Sequence, residues 1–478
     1  MKLLKHWISS YSNILLLVIP LLTILVLRVL GFDGLYGQDG YEYFKYTEAI
    51  KDYALGGDHP GKFYWPVFYP LIGGFLGFIF NNTILGLQIL SSISLSVSCI
   101  YSLKAIKLLY PKQQFASIYI LIFGLFCPYL FKIGLVVMSD ATSMMFVVLC
   151  LYYFLKSYKE QTSLVFVFFF ATCAVMTRYA ALVIVFPLIS YGLYLVLKRK
   201  AISQFLVAIL ISSIAILPFV LLQWDALFKA GSNYFLNSWS VTNFFKSSYT
   251  TIDGLQSYFL PNILYTLYVF LHPGFIFIGI FLCFFTIKKY KSFNHFSWKI
   301  TELCILLYLI FMAGIPFQNP RILGLVFPFV LILLYHSYEE LLKVKWLKTY
   351  YIPFIISAIL FQLFLFNRTF SSIYKRNTLE NEIVNLVKPY QGQKLYSFDV
   401  DIALKGRGLN FEYKNMFFEI YNDFKEADLV LFNPNKFSKQ WNDKNPMLNW
   451  EYLKDNYRMK SIEDGPDGWK LYKIQNKK

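Results

Sequence analysis

The sequence predicts a polytopic α-helical membrane protein that ends in a soluble α/β domain. Of its 478 residues, 57% are hydrophobic and 15% are charged, whereas soluble domains carry roughly 25% charged residues. Apolar runs recur along most of the chain, and many have the length of about 17 to 25 residues that crosses a bilayer as a helix. The hydropathy falls after residue 367 and stays low to the end. A single soluble globular domain is therefore excluded.

Eleven apolar runs are predicted to cross the membrane. They are residues 14–31, 84–103, 114–131, 140–155, 162–177, 180–197, 202–222, 262–287, 300–317, 322–342 and 350–367. Residues 66–80, PVFYPLIGGFLGFIF, are apolar but short, and they contain two prolines and a Gly-Gly pair. We expect the first run to be a retained span and not a cleaved signal peptide, because no small-residue cleavage site accompanies it.

The distribution of basic residues among the loops predicts the orientation of the spans. If residues 66–80 do not cross, alternate loops contain 17 basic residues and one acid, Glu160. The basic residues are Lys2, Lys5, Lys104, Lys107, Lys112, Lys156, Lys159, Lys198, Arg199, Lys200, Lys288, Lys289, Lys291, Lys299, Lys343, Lys345 and Lys348. This pattern predicts a cytoplasmic N-terminus, a C-terminus outside, and residues 66–80 at the outer face. The formal charge of +17 then reflects membrane topology, and no nucleic-acid partner is expected.

The first predicted outer loop, residues 32–82, is acidic and aromatic, with six acids against three lysines. Within it, residues 40–54 have helical spacing. The residues on the apolar face are Tyr43, Tyr46, Ile50 and Tyr53. We expect an amphipathic helix that lies in the membrane interface. A second outer loop is predicted over residues 223–261.

The C-terminal region, residues 368–478, is predicted to be an extracytoplasmic α/β domain, separate from a transmembrane domain over residues 1–367. The segments QKLYSFDV and ADLVLF are typical of buried strands. The segment YRMKSIEDGPDGWKLYKI predicts a hairpin that turns at GPDG. The six cysteines lie in apolar runs without a CxxC pair, so they are interpreted as small core residues.

Three common kinds of site have little support in the sequence. The segment GGDHPGKF has the GxxxxGK spacing of a phosphate loop, but Phe63 replaces the Ser or Thr that binds magnesium. His59 and Lys62 in that segment remain candidate contacts for an anionic group. The five histidines are scattered and form no HExxH zinc motif, and no Ser-His-Asp set is visible.

Two acids, Asp39 and Asp140, have both a structural and a functional interpretation. Asp39 followed by Glu42 fits a capping box that starts the predicted 40–54 helix. Ser139 or Asp140 stands where a cap is expected at the start of the fourth predicted span. Capping does not require a carboxylate at the membrane face, however, and an ionised carboxylate at that boundary is costly. Both interpretations stay open at this stage.

Two arginines lie in short predicted outer turns between spans. Arg178 is followed by Tyr179, and Arg321 follows Gln318 in the segment QNPRILG. A side chain that snorkels to the interface is the structural interpretation. A phosphate clamp is the functional one, because the planar guanidinium forms paired hydrogen bonds to phosphate. Under the predicted topology both arginines and both candidate acids lie at the same membrane face.

These features together resemble the GT-C superfamily of polytopic glycosyltransferases, in particular its protein O-mannosyltransferase and aminoarabinose-transferase-like branch (glycosyltransferase family 39-like). The matching segments are DGYEYFKYTEAI, FYPLIGGFLGFIFNNTILGLQILS, MSDATSMMF, TRYAALVIVFP and QNPRILGLVFPFVLILL. The resemblance covers roughly residues 10–367 and implies a GT-C fold with about 11 transmembrane helices. The oligosaccharyltransferase branch would need a WWDYG-like motif in the soluble tail, and the tail has none.

The resemblance also implies an inverting transfer of a sugar from a polyprenyl-phosphate donor, with Asp39 as the catalytic acid. In the family a second acid usually follows, whereas here Gly40 follows and Glu42 is the next acid. The candidate substrate-binding residues are Glu42, His59, Lys62, Asp140, Arg178, Tyr179, Gln318 and Arg321. The implied partners are membrane lipids, the lipid-linked sugar, and a glycan, lipid or protein acceptor at the outer face of a bacterial inner membrane.

Two questions stay open in the sequence. One is whether a divalent cation, Mg or Mn, bridges Asp39, Asp140 and the phosphate; no cofactor is otherwise expected. The other is the alternative function of a lipid-linked sugar flippase or transporter. Transporters usually place ionisable residues near the membrane midplane, whereas here the charges concentrate at the predicted outer face, with Glu302 as the main exception.

Overall fold

The structure of the protein is a computed structural model that describes residues 2–110, 113–228, 237–251, 254–289 and 296–478. Some of the sequence predictions lie outside the described residues. These are Lys112 and Lys291 of the basic loops and residues 229–236 and 252–253 of the second outer loop.

The chain begins with two long helices separated by two shorter ones. They are α1 (Lys2–Val29), α2 (Gly37–Ala54), α3 (Phe68–Ile79) and α4 (Thr83–Leu109). Helix α2 is the helix predicted over residues 40–54. Its aromatic face is buried at Tyr43, Tyr46 and Ile50, while Tyr53 is exposed. The spacing of apolar residues therefore identified both the helix and most of its buried face.

Helix α3 corresponds to the short apolar run at residues 66–80. Its 12 residues extend about 18 Å at 1.5 Å per residue, whereas the hydrocarbon core of a bilayer is about 30 Å thick. It packs closely on α4, since a Cβ atom added at Gly86 would lie 2.4 Å from the backbone nitrogen of Gly77. Small residues allow helix backbones to approach in this way.

The predicted span at residues 114–131 is a broken helix. It contains α5 (Ala116–Tyr119), a π-helical segment (Ile120–Leu125) and α6 (Pro128–Ile133). Pro128 lacks a backbone N–H and stands at the start of the new helix. The π-helical residues are buried, as expected because irregular backbone at membrane depth must be surrounded by protein.

Four helices follow, and they match four predicted spans; the last is kinked at Gln223, whose backbone is not helical (φ −139°, ψ 34°). They are α7 (Asp140–Ser157), α8 (Ser163–Thr177), α9 (Ala181–Lys198) and α10 (Ile202–Phe228). Only residues 178–180 separate α8 from α9, so Arg178 lies in the tight turn that the sequence predicted.

The predicted span at residues 262–287 is also broken. The elements between residues 241 and 289 are a 3₁₀ turn (Val241–Phe245), an antiparallel pair β1 (Ser248–Thr251) and β2 (Gly254–Ser257), and helices α11 (Asn262–Thr266), α12 (Tyr268–Leu271) and α13 (Ile276–Lys289). Pro273 and Gly274 lie in the gap before α13. Both residue types end helices, Pro by its missing N–H and Gly by its conformational freedom.

The helical region is completed by α14 (Phe296–Gly314), α15 (Pro320–Leu323), α16 (Phe327–Leu341), α17 (Lys345–Thr349) and α18 (Tyr351–Val387). Among the described residues, seven helices are long and apolar enough to cross a membrane. They are Ser10–Val29, Thr83–Leu109, Ala181–Lys198, Ile202–Trp224, Phe296–Gly314, Pro320–Leu341 and Tyr351–Tyr390. The other four predicted spans are the two broken segments and the shorter or more polar helices α7 and α8.

Helix α18 runs without a break through residue 368, where the sequence predicted a domain boundary. Ile355 and Phe370 of this helix pack in the core of the helical region, and Ile383 and Val387 pack in the core of the C-terminal domain. The fall in hydropathy near residue 368 therefore lies within one continuous helix. It reflects the change in the surroundings of the helix from lipid to water, and it does not mark a break in the chain.

The C-terminal domain contains a five-stranded mixed sheet in the order β4-β3-β5-β7-β6. Its elements are β3 (Lys394–Ser397), α19 (Asp401–Gly406), β4 (Glu412–Asn415), β5 (Leu429–Phe432), α20 (Pro434–Phe437), α21 (Asn445–Asn456), β6 (Tyr457–Asp464) and β7 (Lys470–Lys477). Strand β3 is parallel to β4 and β5, whereas β7 is antiparallel to β5 and β6. The two predicted buried strands are β3 and β5, and the predicted hairpin is β6–β7.

The contact between α3 and α4 can be tested with Gly86→Ala. Because the added methyl group would meet backbone atoms of α3 and not a flexible side chain, we expect a loss of about 1–3 kcal/mol in the free energy of unfolding, measured by titration with SDS. Gly324→Ala is the matched control, since its Cβ would meet only Leu130, at 3.9 Å. Equal stability of the two variants would contradict the close packing of α3 on α4.

Candidate active site

Four charged side chains from four distant parts of the sequence meet at one end of the helix bundle. Asp39 lies in the first turn of α2, and Asp140 is the first residue of α7. Arg178 follows the last residue of α8, and Arg321 lies in the four-residue helix α15. These are the two acids and two arginines that the sequence predicted at one membrane face.

The four side chains form a chain of alternating charge. Nη2 of Arg321 donates to Oδ2 of Asp39 at 2.6 Å, and Nε of the same guanidinium lies 3.5 Å from Oδ2 of Asp140. The other oxygen of Asp140 accepts from Nη1 of Arg178 at 2.5 Å. Each arginine therefore contacts a carboxylate, and Arg321 lies between two of them.

Neither acid caps its helix through its side chain. The N-cap residue of α2 is Tyr36 and that of α7 is Ser139, and neither makes a side-chain capping bond. The capping interpretation of Asp39 with Glu42, and that of Asp140, is therefore wrong in this structure. The carboxylates bind guanidinium groups from other helices instead.

Among the four side chains, exposure is lowest at Asp140, inside the chain of charges, and highest at Asp39, at its end. The side chain of Asp140 is 1% exposed and that of Arg178 is 13% exposed, whereas Arg321 and Asp39 are 20% and 29% exposed. Asp39 is therefore the member that solvent or a substrate reaches most easily.

Two residues that precede α7, Met138 and Ser139, contact the site and the helix that carries Asp39. Ser139 is hydrogen-bonded through Oγ to the hydroxyl of Tyr43 on α2, at 2.7 Å, and Sδ of Met138 accepts from Nη1 of Arg321 at 2.8 Å. Burial raises the pKa of Tyr43 far above its ordinary value, so its hydroxyl stays neutral at physiological pH. Asn319 is the N-cap residue of α15, and its Oδ1 accepts from the backbone N–H of Arg321 at 3.0 Å.

Lys132 on α6 brings a third cation close to the four residues. Lys132 interacts electrostatically with both Arg321 and Asp140. Its ammonium group lies 5.4 Å from the ring centre of Tyr129. No carboxylate lies within ion-pair distance of Lys132 in the part of the chain that the structure describes. The site thus has three cations and two carboxylates.

The remaining five candidate residues are not members of this chain of charges. Glu42 is half-buried on α2, and Lys62 is exposed in the following loop. His59 is exposed, and its Nδ1 accepts from the backbone of Gly61. Tyr179 lies at the turn after α8 and is partly exposed, and Gln318 donates to the carbonyl of Leu260 at 2.6 Å. Within the described residues, none of these five side chains bonds to Asp39, Asp140, Arg178 or Arg321.

The sequence did not identify Met138 and Lys132 as neighbours of the site. It also did not identify the polar contact made by the hydroxyl of Tyr43. Tyr43 was predicted only as part of an apolar face, and the sequence offers no signal that its hydroxyl meets Ser139. Lys132 follows an apolar run that contains Pro128, and a basic residue beside a broken span is a signal that could have identified it.

A metal ion between the two acids has little room in this arrangement. The guanidinium of Arg321 occupies the space between Asp39 and Asp140. Among the described residues, no three His, Cys, Asp or Glu side chains are grouped as ligands for a metal ion.

Comparison with known proteins supports the resemblance seen in the sequence. Residues 58–224 match the family described as dolichyl-phosphate-mannose-protein mannosyltransferase. The match covers less than half of the chain; it includes Asp140 and Arg178 but not Asp39 or Arg321. No curated protein matches the chain in sequence.

Solved structures share the fold over almost the whole chain. ArnT from Cupriavidus metallidurans aligns with TM-scores of 0.59 bound to undecaprenyl phosphate and 0.57 in the apo state, in both cases at 11% identity over 95% of this chain and 97% of that chain. The apo oligosaccharyltransferase from Archaeoglobus fulgidus aligns with a TM-score of 0.53 at 13% identity, over 96% of this chain and 70% of that chain. Both are GT-C glycosyltransferases. The chain is therefore a multi-pass membrane protein with the GT-C fold, and this sequence prediction is confirmed.

Removal of Asp140 tests whether the two arginines depend on it. Asp140→Ala leaves Arg178 without its carboxylate and Arg321 with one carboxylate in place of two. Because these groups are largely buried, we expect a loss of about 3–5 kcal/mol in the free energy of unfolding. The control is Glu160→Ala, which removes the exposed Lys156–Glu160 pair and should change stability by less than about 1 kcal/mol. Equal losses, measured in the same detergent by SDS titration, would contradict a structural role of Asp140.

Proposed function

We propose that the protein is an inverting glycosyltransferase that moves a sugar from a polyprenyl-phosphate donor to an acceptor at the outer face of the membrane. The observation that carries the proposal is the position of Asp39. Its carboxylate ends the chain of charges and is 29% exposed, more than any of the other three side chains. The GT-C fold is consistent with this chemistry, since both structural relatives named above are glycosyltransferases.

The orientation of the bundle supports a site at the outer face. The four charged residues lie where α2, α7 and α15 begin and α8 ends, whereas Lys107 and Lys156 lie in the last turns of α4 and α7. The positive-inside rule assigns such lysine-rich ends to the cytoplasm. The C-terminal domain is then extracytoplasmic, and the bacterial cell membrane is the expected location.

The cations of the site are suited to the phosphate of the donor. Arg178, Arg321 and Lys132 outnumber the two carboxylates, so the site has an excess positive charge that an anionic ligand can neutralise. Guanidinium groups bind phosphate oxygens through directional hydrogen bonds. The solved structure of ArnT bound to undecaprenyl phosphate supports a polyprenyl phosphate as the lipid.

An apolar groove lies between two helices that flank the site. It has a volume of about 310 Å³ and is lined by Phe186, Pro187, Ser190, Tyr191 and Tyr194 of α9 and Ile300, Leu303 and Leu307 of α14. Helix α9 begins three residues after Arg178, and Phe186 lies roughly 7.5 Å along the helix axis from its first residue. We expect the isoprenoid tail to lie in this groove while the phosphate contacts the arginines.

The reaction that we propose is a single displacement at the anomeric carbon. The acceptor oxygen attacks this carbon, its proton passes to the carboxylate of Asp39, and the bond from the carbon to the phosphate oxygen breaks. The leaving lipid phosphate keeps the electron pair, and the nearby cations stabilise the negative charge that develops on it. General-base assistance of this kind contributes about 10²–10⁴-fold to the rate.

The alternative function, a flippase or transporter, has less support from the geometry. Transporters hold their substrates near the midplane of the membrane, on broken helices. Here the four charged residues lie at helix ends. The broken segment around Pro273 bonds instead to the side chains of His272 and Gln362, neither of which is a carboxylate.

The role of Asp39 is tested by Asp39→Asn, which keeps the shape of the side chain but removes the base. We expect sugar transfer from a polyprenyl-phosphate donor in proteoliposomes to fall by about 10²–10⁴-fold, with normal membrane insertion. The matched control is Asp52→Asn, on the exposed side of the same helix, which should transfer at the parental rate. Parental activity in Asp39→Asn would refute its assignment as the base.

The role of Arg178 is tested by Arg178→Ala, with Arg199→Ala as the control. Arg199 also fixes two helices, since its Nη1 donates to the carbonyl of Ser157, but at the opposite end of the bundle. A charge-assisted hydrogen bond contributes about 1.5–3 kcal/mol, so we expect the KM for the lipid donor to rise by about tenfold or more in Arg178→Ala. The KM for the acceptor should change little. An equal rise for donor and acceptor would contradict a phosphate contact.

A further inference from the structure

We propose that Tyr41 is a positioning residue through which the C-terminal domain sets the orientation of Asp39. The proposal rests on the function proposed above, because it concerns the same carboxylate. Tyr41 lies two residues after Asp39 on α2, and successive residues of a helix are about 100° apart. The two side chains therefore point to nearly opposite sides of α2. Asp39 contacts the helical region, and Tyr41 contacts the C-terminal domain.

The hydroxyl of Tyr41 joins two elements of that domain. It donates to Oε2 of Glu380 on α18 at 2.6 Å, and it accepts from Nε of Arg407, the residue after α19, at 3.0 Å. Glu380 is almost fully buried, and its other oxygen accepts from Nε of Arg376 at 2.5 Å. Burial, together with the charge of Glu380, raises the pKa of Tyr41, so the hydroxyl keeps the proton that it donates.

The segment that leads into α2 is held by the same two elements. Oδ2 of Asp33 accepts from Nη1 of Arg407 at 2.7 Å. Oδ1 of Asp33 accepts from the side chain of Asn377 on α18, also at 2.7 Å. The amide of Asn377 donates in addition to the carbonyl of Leu35 at 3.0 Å. Both the entry to α2 and its second turn are thus fixed by residues of the C-terminal domain and the helix that leads into it.

The network continues into the core of the C-terminal domain. Arg376 donates to Oδ2 of Asp399 at 2.7 Å, and this oxygen also accepts from Nζ of Lys436 at 2.7 Å. Asp399 lies two residues after the end of β3 and has a left-handed backbone, with φ of 74°. A non-glycine residue in that conformation carries strain that surrounding contacts must offset. The position of Arg376, and through it Glu380, therefore depends on the fold of the sheet.

Close packing leaves the ring of Tyr41 little freedom to move. A Cβ atom added at Gly406, the last residue of α19, would lie 2.4 Å from Cδ1 of the Tyr41 ring. The ring is almost fully buried. A change at this contact would therefore move α2 and the carboxylate of Asp39 relative to Arg321.

The rate of sugar transfer depends steeply on how well the carboxylate of Asp39 is aligned with the reacting atoms. A displacement of about 1 Å in a catalytic group can reduce the rate by about 10²-fold. Loss of the Tyr41 hydroxyl should therefore lower kcat by a larger factor than it raises the KM for the donor, because Arg178 at the α8–α9 turn bonds to Asp140 and not to α2.

The test compares Tyr41→Phe with Tyr390→Phe in the full-length protein in proteoliposomes, with undecaprenyl-phosphate-linked sugar as donor. Tyr390 makes the same kind of bond, donating to Oε1 of Glu463 at 2.9 Å, but on the surface of the C-terminal domain. We expect kcat to fall by roughly 10- to 100-fold in Tyr41→Phe, with less than a twofold change in Tyr390→Phe. A parental kcat in Tyr41→Phe, or an equal fall in both variants, would overturn the proposal.

Hydrogen–deuterium exchange gives a readout that does not depend on activity. In Tyr41→Phe we expect the amides of Gly37–Ala54 to exchange roughly tenfold faster, because a buried bond to a charged group is lost, while α7 and α8 exchange as in the parent. Unchanged exchange in α2 would overturn the positioning role even if activity fell.

If the parent transferred no sugar, the proposed function would fail, and the exchange of α2 would still decide whether Tyr41 orders this helix. Arg407→Gln removes the other bond of the hydroxyl and should produce the same pattern if Tyr41→Phe does not fold.

Discussion

The guanidinium of Arg321, held between the carboxylates of Asp39 and Asp140, is the interaction on which the site depends. It joins α2, α7 and α15, and Asp140 extends the connection to Arg178 beyond α8. Carboxylates at such depth are costly unless cations compensate them. The alternation of charge therefore explains why the four residues occupy one place, and it leaves Asp39 as the accessible member.

Irregular backbone surrounds this group of charges. Arg178 has an extended backbone, with φ of −158° and ψ of 119°, and Arg321 lies on a short helix that continues as a 3₁₀ turn. Helix α6, which carries Lys132, is separated from the preceding π-helical segment by a break. Such backbone is excluded from lipid unless protein or water satisfies its polar groups. The end of the bundle where helices break is thus also where a polar substrate can be accommodated.

The C-terminal domain takes part in building the site although none of its side chains contacts the four charged residues among those described. Helix α18 belongs to both hydrophobic cores, so the domain is joined to the membrane region by a continuous helix and not by a flexible linker. Its contacts to Asp33 and Tyr41 fix the first turns of α2 from the side opposite to Arg321. In this arrangement the soluble domain is a support for the transferase site that we propose, in addition to any role in binding an acceptor.

The sequence alone determined the class of the protein and most of its elements. Apolar runs identified the membrane segments, and helical spacing identified α2 and its buried tyrosines. Alternation and turn residues identified β3, β5 and the β6–β7 hairpin, because these properties are local in the chain. The same locality explains the errors. The capping interpretation of Asp39 and Asp140 was wrong because it considered only neighbours in sequence, and the breaks at Pro128 and Pro273 went unpredicted because hydropathy ignores backbone hydrogen bonds.

Only the tertiary structure decided which charges meet. The sequence suggested one face for Asp39, Asp140, Arg178 and Arg321, but their pairing depends on how α2, α7, α8 and α15 pack. Among the described residues, tertiary packing left Glu42, His59, Lys62, Tyr179 and Gln318 without a bond to the four charges, and it brought Lys132 and Met138 close to them. Contacts between residues that are hundreds of positions apart, such as Asp39 with Arg321 or Tyr41 with Glu380, leave no periodic pattern in one sequence, because each depends on the summed packing of many helices.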